Sequence, residues 1–336
     1  MKKVSIKDIA QLSGVSVATV SRVINNNGRF SEETRKKVLD VIKETGYQMN
    51  FSAKSLRMKK SFSIGVLVPD ISNYFFSDVV QQIEEILFEK DYSTIICNTA
   101  RNADKEAAYL QMLESKMIDG LIVISGADEF GFDYSKSEKD IPYICIDREP
   151  KNSEQTIFIS SNHYQGAFEA AEALIHSGSK QPIIAMHKRA SSSAKERFKG
   201  FKDALKKNNI VFDAKKNQLL LNSDNSYSDT LTAFLNRVPE VDGIFAINDN
   251  IAMELLLELR RAGKHIPKDI KVIGFDNTPQ TKYSTPSLSS VKQNTQGIAN
   301  NAVESLLELI NHPHSDKKGQ SILLPVELIL RESINT

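Results

Sequence analysis

At 336 residues the chain has room for two or three domains, and a 40% hydrophobic content is that of an ordinary globular protein. No apolar run approaches the ~18 residues of a membrane span, and the start MKKVSIKD lacks the apolar core of a signal peptide, which predicts a cytoplasmic protein without membrane contact. The net charge of +1 conceals a division: residues 1–60 carry +8 and the remainder −7, a basic head on an acidic body.

The head reads VSIKDIAQLSGVSVATVSRVIN, a loop, then SEETRKKVLDVIKETGY. Ile6, Ile9, Ala10 and Leu12 recur at helical spacing and predict the buried face of a first helix. Gly14 supplies a turn, and Ser16 is a natural cap for a second helix that carries Val20, Val23 and Ile24 inward. Ser31, Thr34 and the acidic pair Glu32–Glu33 start a third, with Val38, Leu39, Val41 and Ile42 on its buried side. Two short helices across a glycine turn, braced by a third, make a helix-turn-helix. Its second helix exposes Val17, Ala18, Thr19, Ser21 and Arg22. Arg22 suits a guanine edge, Val17 and Ala18 suit thymine methyls, and Ser16, Thr19, Ser21 and Asn25 suit phosphates. The alternative is a structural three-helix module with a solvated charged face; the charge of the head favours DNA.

Residues 50–61 form a short basic linker that allows one marginal helix. Beyond it, continuous apolar runs (Ile64–Val68, Thr94–Cys97, Gly120–Ile124, Tyr143–Ile146) alternate with helical stretches at Tyr74–Lys90 and Asp104–Lys116. A second series begins near Asn162, with helices at Gln165–Ser177, Lys195–Asn208, Tyr227–Asn236 and Ile251–Ala262. Its strands are Ile183–Met186, Gln218–Leu221, Gly243–Ile247 and Val272–Phe275. Two such series predict two lobes, each a parallel sheet covered on both faces. Leu288–Gln293 and Ile322–Leu330 read as crossovers between them.

Ligands in such sheets sit beyond the carboxyl ends of the strands, and polar residues gather there. Asp70, Asn73, Phe75 and Phe76 follow the first strand, and Asp147–Arg148 the fourth. Ser191–Ser193 with Arg197, Asn248–Asp249 and Asp276–Asn277 follow later ones. Carboxylates and amides for hydroxyls, an arginine fork and an aromatic face are what a sugar requires. Each of these residues taken singly also suits a turn or cap; the agreement of five strand ends favours a site.

Other chemistry finds little support. Ser192-x-x-Lys195 and Ser223-Asp-Asn225 fit two short motifs of penicillin-binding serine enzymes, but no K-T-G occurs, so no enzyme is expected. The six histidines are scattered without metal-ligand spacing, and no metal or cofactor is expected. Cys97 and Cys145 lie in apolar strand patterns and read as buried free thiols.

The segment VSIKDIAQLSGVSVATVSRVIN resembles the DNA-binding head of the lactose-repressor (LacI/GalR) family. The resemblance implies an α/β fold: an all-α helix-turn-helix head (1–48), a hinge helix (49–61), and a two-lobed parallel-sheet body of the periplasmic-binding-protein type (62–336). The lobes would be about 62–161 plus 291–323 and about 162–290 plus 324–334. Ala53–Arg57 resembles the hinge motif, so Ala53 would contact DNA and Leu56 would wedge into the minor groove. Family roles place Phe75 or Phe76 on the sugar ring and Asn73, Arg197, Asn248 and Asp276 on hydroxyls. Asp70, Asp147, Arg148, Ser193 and Gln293 complete the expected pocket. The chain departs from the pattern where Asn162–His163 replaces an Asp-Asn pair and where Tyr74 replaces a proline. Tyr92–Asn98 and Pro142–Arg148 resemble Gram-positive sucrose- and ribose-utilisation repressors. The implied function is transcriptional repression of a carbohydrate operon through a pseudo-palindromic operator, by a homodimer under control of a small sugar or sugar phosphate. No coiled-coil segment follows the last apolar run, so a coiled-coil tetramer is not expected. Alternatives are a catabolite-control regulator whose co-repressor is a phosphorylated carrier protein, and a plain sugar-binding receptor, which explains the body but not the head.

Overall fold

The computed structural model describes residues 4–24, 27–47, 60–125, 130–131, 140–188, 191–221 and 227–334. It divides into two units, 1–61 and 62–336.

In the first unit, α1 (Ile6–Ser13), α2 (Val17–Ile24) and α3 (Glu32–Thr45) enclose a core of Ile9, Ala10, Val20, Val23 and Val38. A reciprocal cap starts α1: Ser5 Oγ accepts from the Asp8 amide, and Asp8 accepts from the Ser5 amide at 2.8 Å. Gly14, with φ +69°, ends it in the left-handed conformation that only glycine adopts freely. Two expected core residues face outward instead. Leu12 is 61% exposed and Leu39 44% exposed. At about 100° per residue, Leu12 lies well off the face shared by Ile9 and Ala10, and Leu39 one step off Val38.

The second unit contains two six-stranded sheets. The first has the order β11-β5-β4-β3-β1-β2, built from Ser321–Leu324 (β11), Ile157–Ser161 (β5), Tyr143–Ile146 (β4), Gly120–Ile124 (β3), Ser63–Val68 (β1) and Ser93–Asn98 (β2). The second has the order β12-β10-β9-β8-β6-β7, built from Glu327–Ile329 (β12), Ser289–Lys292 (β10), Lys271–Asp276 (β9), Gly243–Ala246 (β8), Pro182–His187 (β6) and Gln218–Leu221 (β7). Every pairing is parallel except β10 with β12. Buried apolar side chains cover both faces of the first sheet, and Ile64, Val66, Ile122 and Ile144 lie opposite Leu67, Leu121, Val123 and Cys145. The alternation follows from the two-residue period of a strand.

The chain passes between the lobes three times. After β5 it enters helix His163–His176, whose Ala167, Ala170 and Leu174 join the second core. After β10 it enters helix Thr295–Asn311, whose Ile298, Ala302 and Leu306 join the first. The final passage separates β11 from β12. The sequence reading contained neither β5 nor the Thr295–Asn311 helix, and it merged β11 and β12 into one segment. In β5 the buried polar Ser160 and Ser161 interrupt the apolar run, and Ser160 Oγ donates to Asp147 at 2.7 Å.

Candidate DNA-facing helix and effector cleft

In the head, Val17, Ala18 and Arg22 are exposed on α2, with Thr19 and Ser21 half-buried. The face is small at its N-terminal end and basic at the other. Ser16 Oγ accepts from the Thr19 amide at 3.1 Å and lies 2.9 Å from Thr19 Oγ1, so these two hydroxyls fix the start of the helix as well as bordering its exposed face. The stem of Arg22 passes over Gly28; a Cβ there would stand 3.4 Å from Arg22 Cδ. Asn25, Ala53 and Leu56 lie outside the described residues, as does most of the 50–61 linker.

In the body, a cleft of about 590 Å³, open to solvent, lies at the carboxyl ends of the strands of both lobes. Of the expected residues, Asn73, Phe75, Phe76, Asp147, Ser193, Arg197, Asn248 and Asp276 line it. Phe75 and Phe76 meet edge to face with centroids 5.4 Å apart. Asn73 and Asn248 each cap the helix that follows, their side-chain oxygens accepting from the amides of Phe75 at 3.0 Å and Ile251 at 2.9 Å. Each thereby commits its acceptor and keeps its NH2 donors.

A chain of buried polar groups runs from one lobe to the other. Asp147 Oδ1 accepts from Ser160 Oγ at 2.7 Å and lies 2.9 Å from His163 Nε2. Arg197 Nε and Nη2 lie 3.3 and 3.2 Å from His163 Nδ1. A guanidinium has no acceptor, so Nδ1 accepts, and Nε2 carries the hydrogen donated to Asp147. Arg197 further donates to the Ile247 carbonyl, stacks 3.6 Å from the centroid of Phe275 and approaches Asp276 Oδ1 at 3.6 Å. Gln293 Nε2 donates to the same oxygen at 2.7 Å.

These contacts set the charges. Burial lowers the His163 imidazole below its ordinary range, and the Arg197 charge adds to this, so it is neutral at pH 7. Burial alone would raise Asp147, but His163, Ser160 and Arg197 more than offset it and hold its carboxyl below the usual value. Burial dominates at Asp276, which is pushed up to about 7 against the pull of Arg197 and with the help of neighbouring Asp249. Asp249, also raised by burial, stands at about 6 although Ser290 Oγ and the Thr278 amide donate to it at 2.6 and 2.7 Å.

Three expected pocket residues do not line the cleft. Asp70 Oδ1 accepts from the Ser72 amide and hydroxyl at 3.0 and 2.6 Å and shapes the loop before helix Tyr74–Glu89. Arg148 turns away because Asp147 holds a left-handed φ of +53°, which diverts the next side chain. It forms a bidentate pair with Glu106 at 2.7 and 3.2 Å and lies 5.1 Å over Phe130. Gln293 stands behind Asp276 and positions it. Ser191, also named among the strand-end residues, lines it too; Arg101, Ser125, His187, Ala194 and Ile247 line the cleft without having been expected, and His163 joins the polar chain. Arg101, Ser125 and His187 sit at or just past the ends of β2, β3 and β6, so the strand-end rule applied to every strand would have found them.

Of the serine-enzyme motifs, Ser192 opens helix Ser192–Lys207, the Lys195 residue is exposed, and Ser223–Asn225 lies outside the described residues. No metal-binding cluster and no helix long and apolar enough to cross a membrane occur among the described residues.

Comparison with known proteins gives two family matches. Residues 5–50 match bacterial regulatory proteins of the lacI family, and residues 61–332 match periplasmic binding proteins and the sugar binding domain of the LacI family. The ribose operon repressor of Halalkalibacterium halodurans is 33% identical over 98% of this chain and 96% of its own length. The transcriptional repressor PurR of Vibrio vulnificus is 32% identical over 98% of both. A LacI family regulator from Enterococcus faecium, solved with bound ribose, matches 81% of this chain and 98% of its own at 28% identity, TM-score 0.70. The lac repressor dimer on its operator matches the whole length of both chains at 23% identity and TM-score 0.83, a likeness of fold.

Proposed function

The chain belongs to the LacI family of bacterial regulatory proteins, and from this premise we propose that it represses a carbohydrate-utilisation operon under the control of a small sugar or sugar phosphate bound in the cleft. The observation that carries the reading is the joining of the two parts in one chain. An exposed, basic helix-turn-helix precedes a two-lobed body whose cleft offers carboxylates, amides, an arginine and two phenylalanines. α2 enters the major groove, with Arg22 on a guanine edge and Val17 and Ala18 on thymine methyls. Ser16, Thr19, Ser21 and Asn25 hold phosphates, and the hinge residues Ala53 and Leu56 meet the minor groove. A pseudo-palindromic operator needs two heads, hence a homodimer, as in the lac repressor on its operator. In the cleft, Phe75 or Phe76 takes the apolar face of the ring, and Asn73, Asp147, Ser193, Arg197, Asn248 and Asp276 take its hydroxyls.

Footprinting of the full-length chain on the DNA flanking its own gene, with and without a panel of sugars and sugar phosphates, tests this directly. Protection of a near-palindrome that one ligand alters is expected. Equal affinity for random DNA, or indifference to every ligand, overturns it. Within the head, Arg22→Ala should cost about 1–3 kcal/mol at its guanine and relax specificity there, measured by titration against single-base operator variants. Equal losses on operator and random DNA would remove Arg22 from base reading.

A further inference from the structure

The two ends of the cleft differ in what they leave unspent. At the buried end, Asp147 and Asp276 use Oδ1 on protein donors, and among the described residues their second carboxylate oxygens accept no hydrogen bond, which leaves them to a ligand hydroxyl. Arg197 is committed there to His163, Ile247 and Asp276. At the exposed end the free groups are donors. Arg101 lines the cleft and makes no hydrogen bond or ion pair among the described residues. Ala100 and Arg101 hold φ of +52° and +56°, two consecutive left-handed residues that turn the chain after β2 and place this side chain on the wall. Such strain persists where the surrounding structure enforces it. Ser125, only 7% exposed, presents to the cleft a hydroxyl with no partner among the described residues. Asn73 and Asn248 keep their NH2 groups, since their oxygens cap helices.

The other lobe supplies the complement. Helix Ser192–Lys207 starts at the cleft, with Ser193 on the wall; Ser191 Oγ caps the Ala194 amide at 3.3 Å, and the other amides of the first turn have no intrahelical acceptor. His187, at the end of β6, lies close enough to Arg101 to feel its charge, which adds to burial in holding the imidazole neutral. A cation, a buried hydroxyl, amide donors and a helix N-terminus thus line this end of the cleft, and among the described residues no carboxylate pairs with the cation.

We propose that this end of the cleft is an anion subsite centred on Arg101, and that the effector is a phosphorylated sugar held with its hydroxyls at the Asp147–Asp276 end and its phosphate at the Arg101 end. The inference rests on the reading of the cleft as a sugar site. A phosphate brings several strong acceptors and a negative charge, which match the donors and the Arg101 cation left unpaired among the described residues. A neutral sugar would leave the Arg101 charge unpaired as the cleft closed around it.

The test is calorimetric titration of the full-length chain with ribose, glucose and fructose, each beside its phosphate ester, and with inorganic phosphate alone. At least one ester is expected to bind ten or more times tighter than its parent sugar, and in Arg101→Gln that ratio should fall to near unity. Arg101 is exposed, so the variant should keep the parent's circular dichroism and melting temperature. A sugar that binds as tightly as its ester overturns the subsite and leaves the sugar reading intact, as does an ester preference that survives Arg101→Gln. Arg101-dependent binding of inorganic phosphate without binding of any sugar supports the subsite and overturns the sugar reading. Failure of every probe to bind overturns both.

Discussion

The two walls of the effector cleft each bury carboxylates, and they treat them in opposite ways. On the wall of the first lobe, Asp147 receives a hydroxyl and an imidazole N–H and stays ionised. On the wall of the second lies Asp276, with Asp249 behind it and close enough to repel it, and both are raised, to about 7 and about 6. Asp249 has two good donors and is raised all the same. Burial is near-complete in all three cases, so burial does not explain the difference. What distinguishes Asp147 is the neutral ring that links it to the Arg197 charge without a second carboxylate beside it. In a dry site, the company of like charge decides protonation as much as the number of hydrogen bonds.

The largest test of that contrast is His163→Ala. It removes a donor from Asp147 and an acceptor from Arg197, leaving two buried charges each short of a partner. Denaturant unfolding should show a loss of about 3 kcal/mol. A loss below about 1 kcal/mol would mean that the ring does not join the two walls. Next is Gly274→Ala, which acts on the second wall alone. A Cβ there would stand 2.3 Å from Asp249 Oδ1 and drive the carboxylate away from Ser290. We expect a loss of about 2 kcal/mol by the same measurement. An unchanged midpoint would show that Asp249 has room to move.

The smallest effect is in pH dependence, because opposite slopes overlap. The Asp276 carboxyl is raised in the folded state, so its contribution to stability is present in full below its unfolded value, near 4, and is lost as pH rises through about 7. His163 is lowered, so its contribution is present above the unfolded value, near 6.5, and is lost as pH falls. Subtraction isolates the first. Relative to Asp276→Asn, the parent should lose stability as pH rises from about 4 to about 7. A difference that is flat, or that grows over that window, would place Asp276 with Asp147.

The sequence disclosed the head and most strands through simple periodicity. Ile9 and Ala10, Val20 and Val23, and the apolar run Gly120–Ile124 all carry their burial in their spacing. It disclosed site residues where a strand end and a polar side chain coincide, as at Asp147 and Asp276. It misled where a polar residue at such an end serves the loop, as Asp70 does, or where a left-handed residue redirects its neighbour, as at Arg148. His163 could not be assigned from spacing, since its role depends on Arg197 and Asp147 arriving from elements distant in the chain. The Thr295–Asn311 helix is legible in the spacing of Ile298, Ala302, Val303, Leu306 and Leu309, although polar Asn300, Asn301 and Glu304 interleave with them.

The three passages between the lobes bear on how the molecule is made on the ribosome. The first lobe lacks a core helix and edge strand β11 until residue 324 has been added, and the second lacks β12 until residue 329. Ser333 then ties the second sheet, its hydroxyl accepting from the Ser289 amide at 2.8 Å and donating to the Val272 carbonyl at 2.6 Å. Neither lobe can close before these strands have been made, whereas the head is complete within the first few dozen residues. A nascent chain therefore carries a finished helix-turn-helix ahead of an unfinished body through more than two hundred residues of elongation, and both lobes wait for the segment that holds β11, β12 and Ser333.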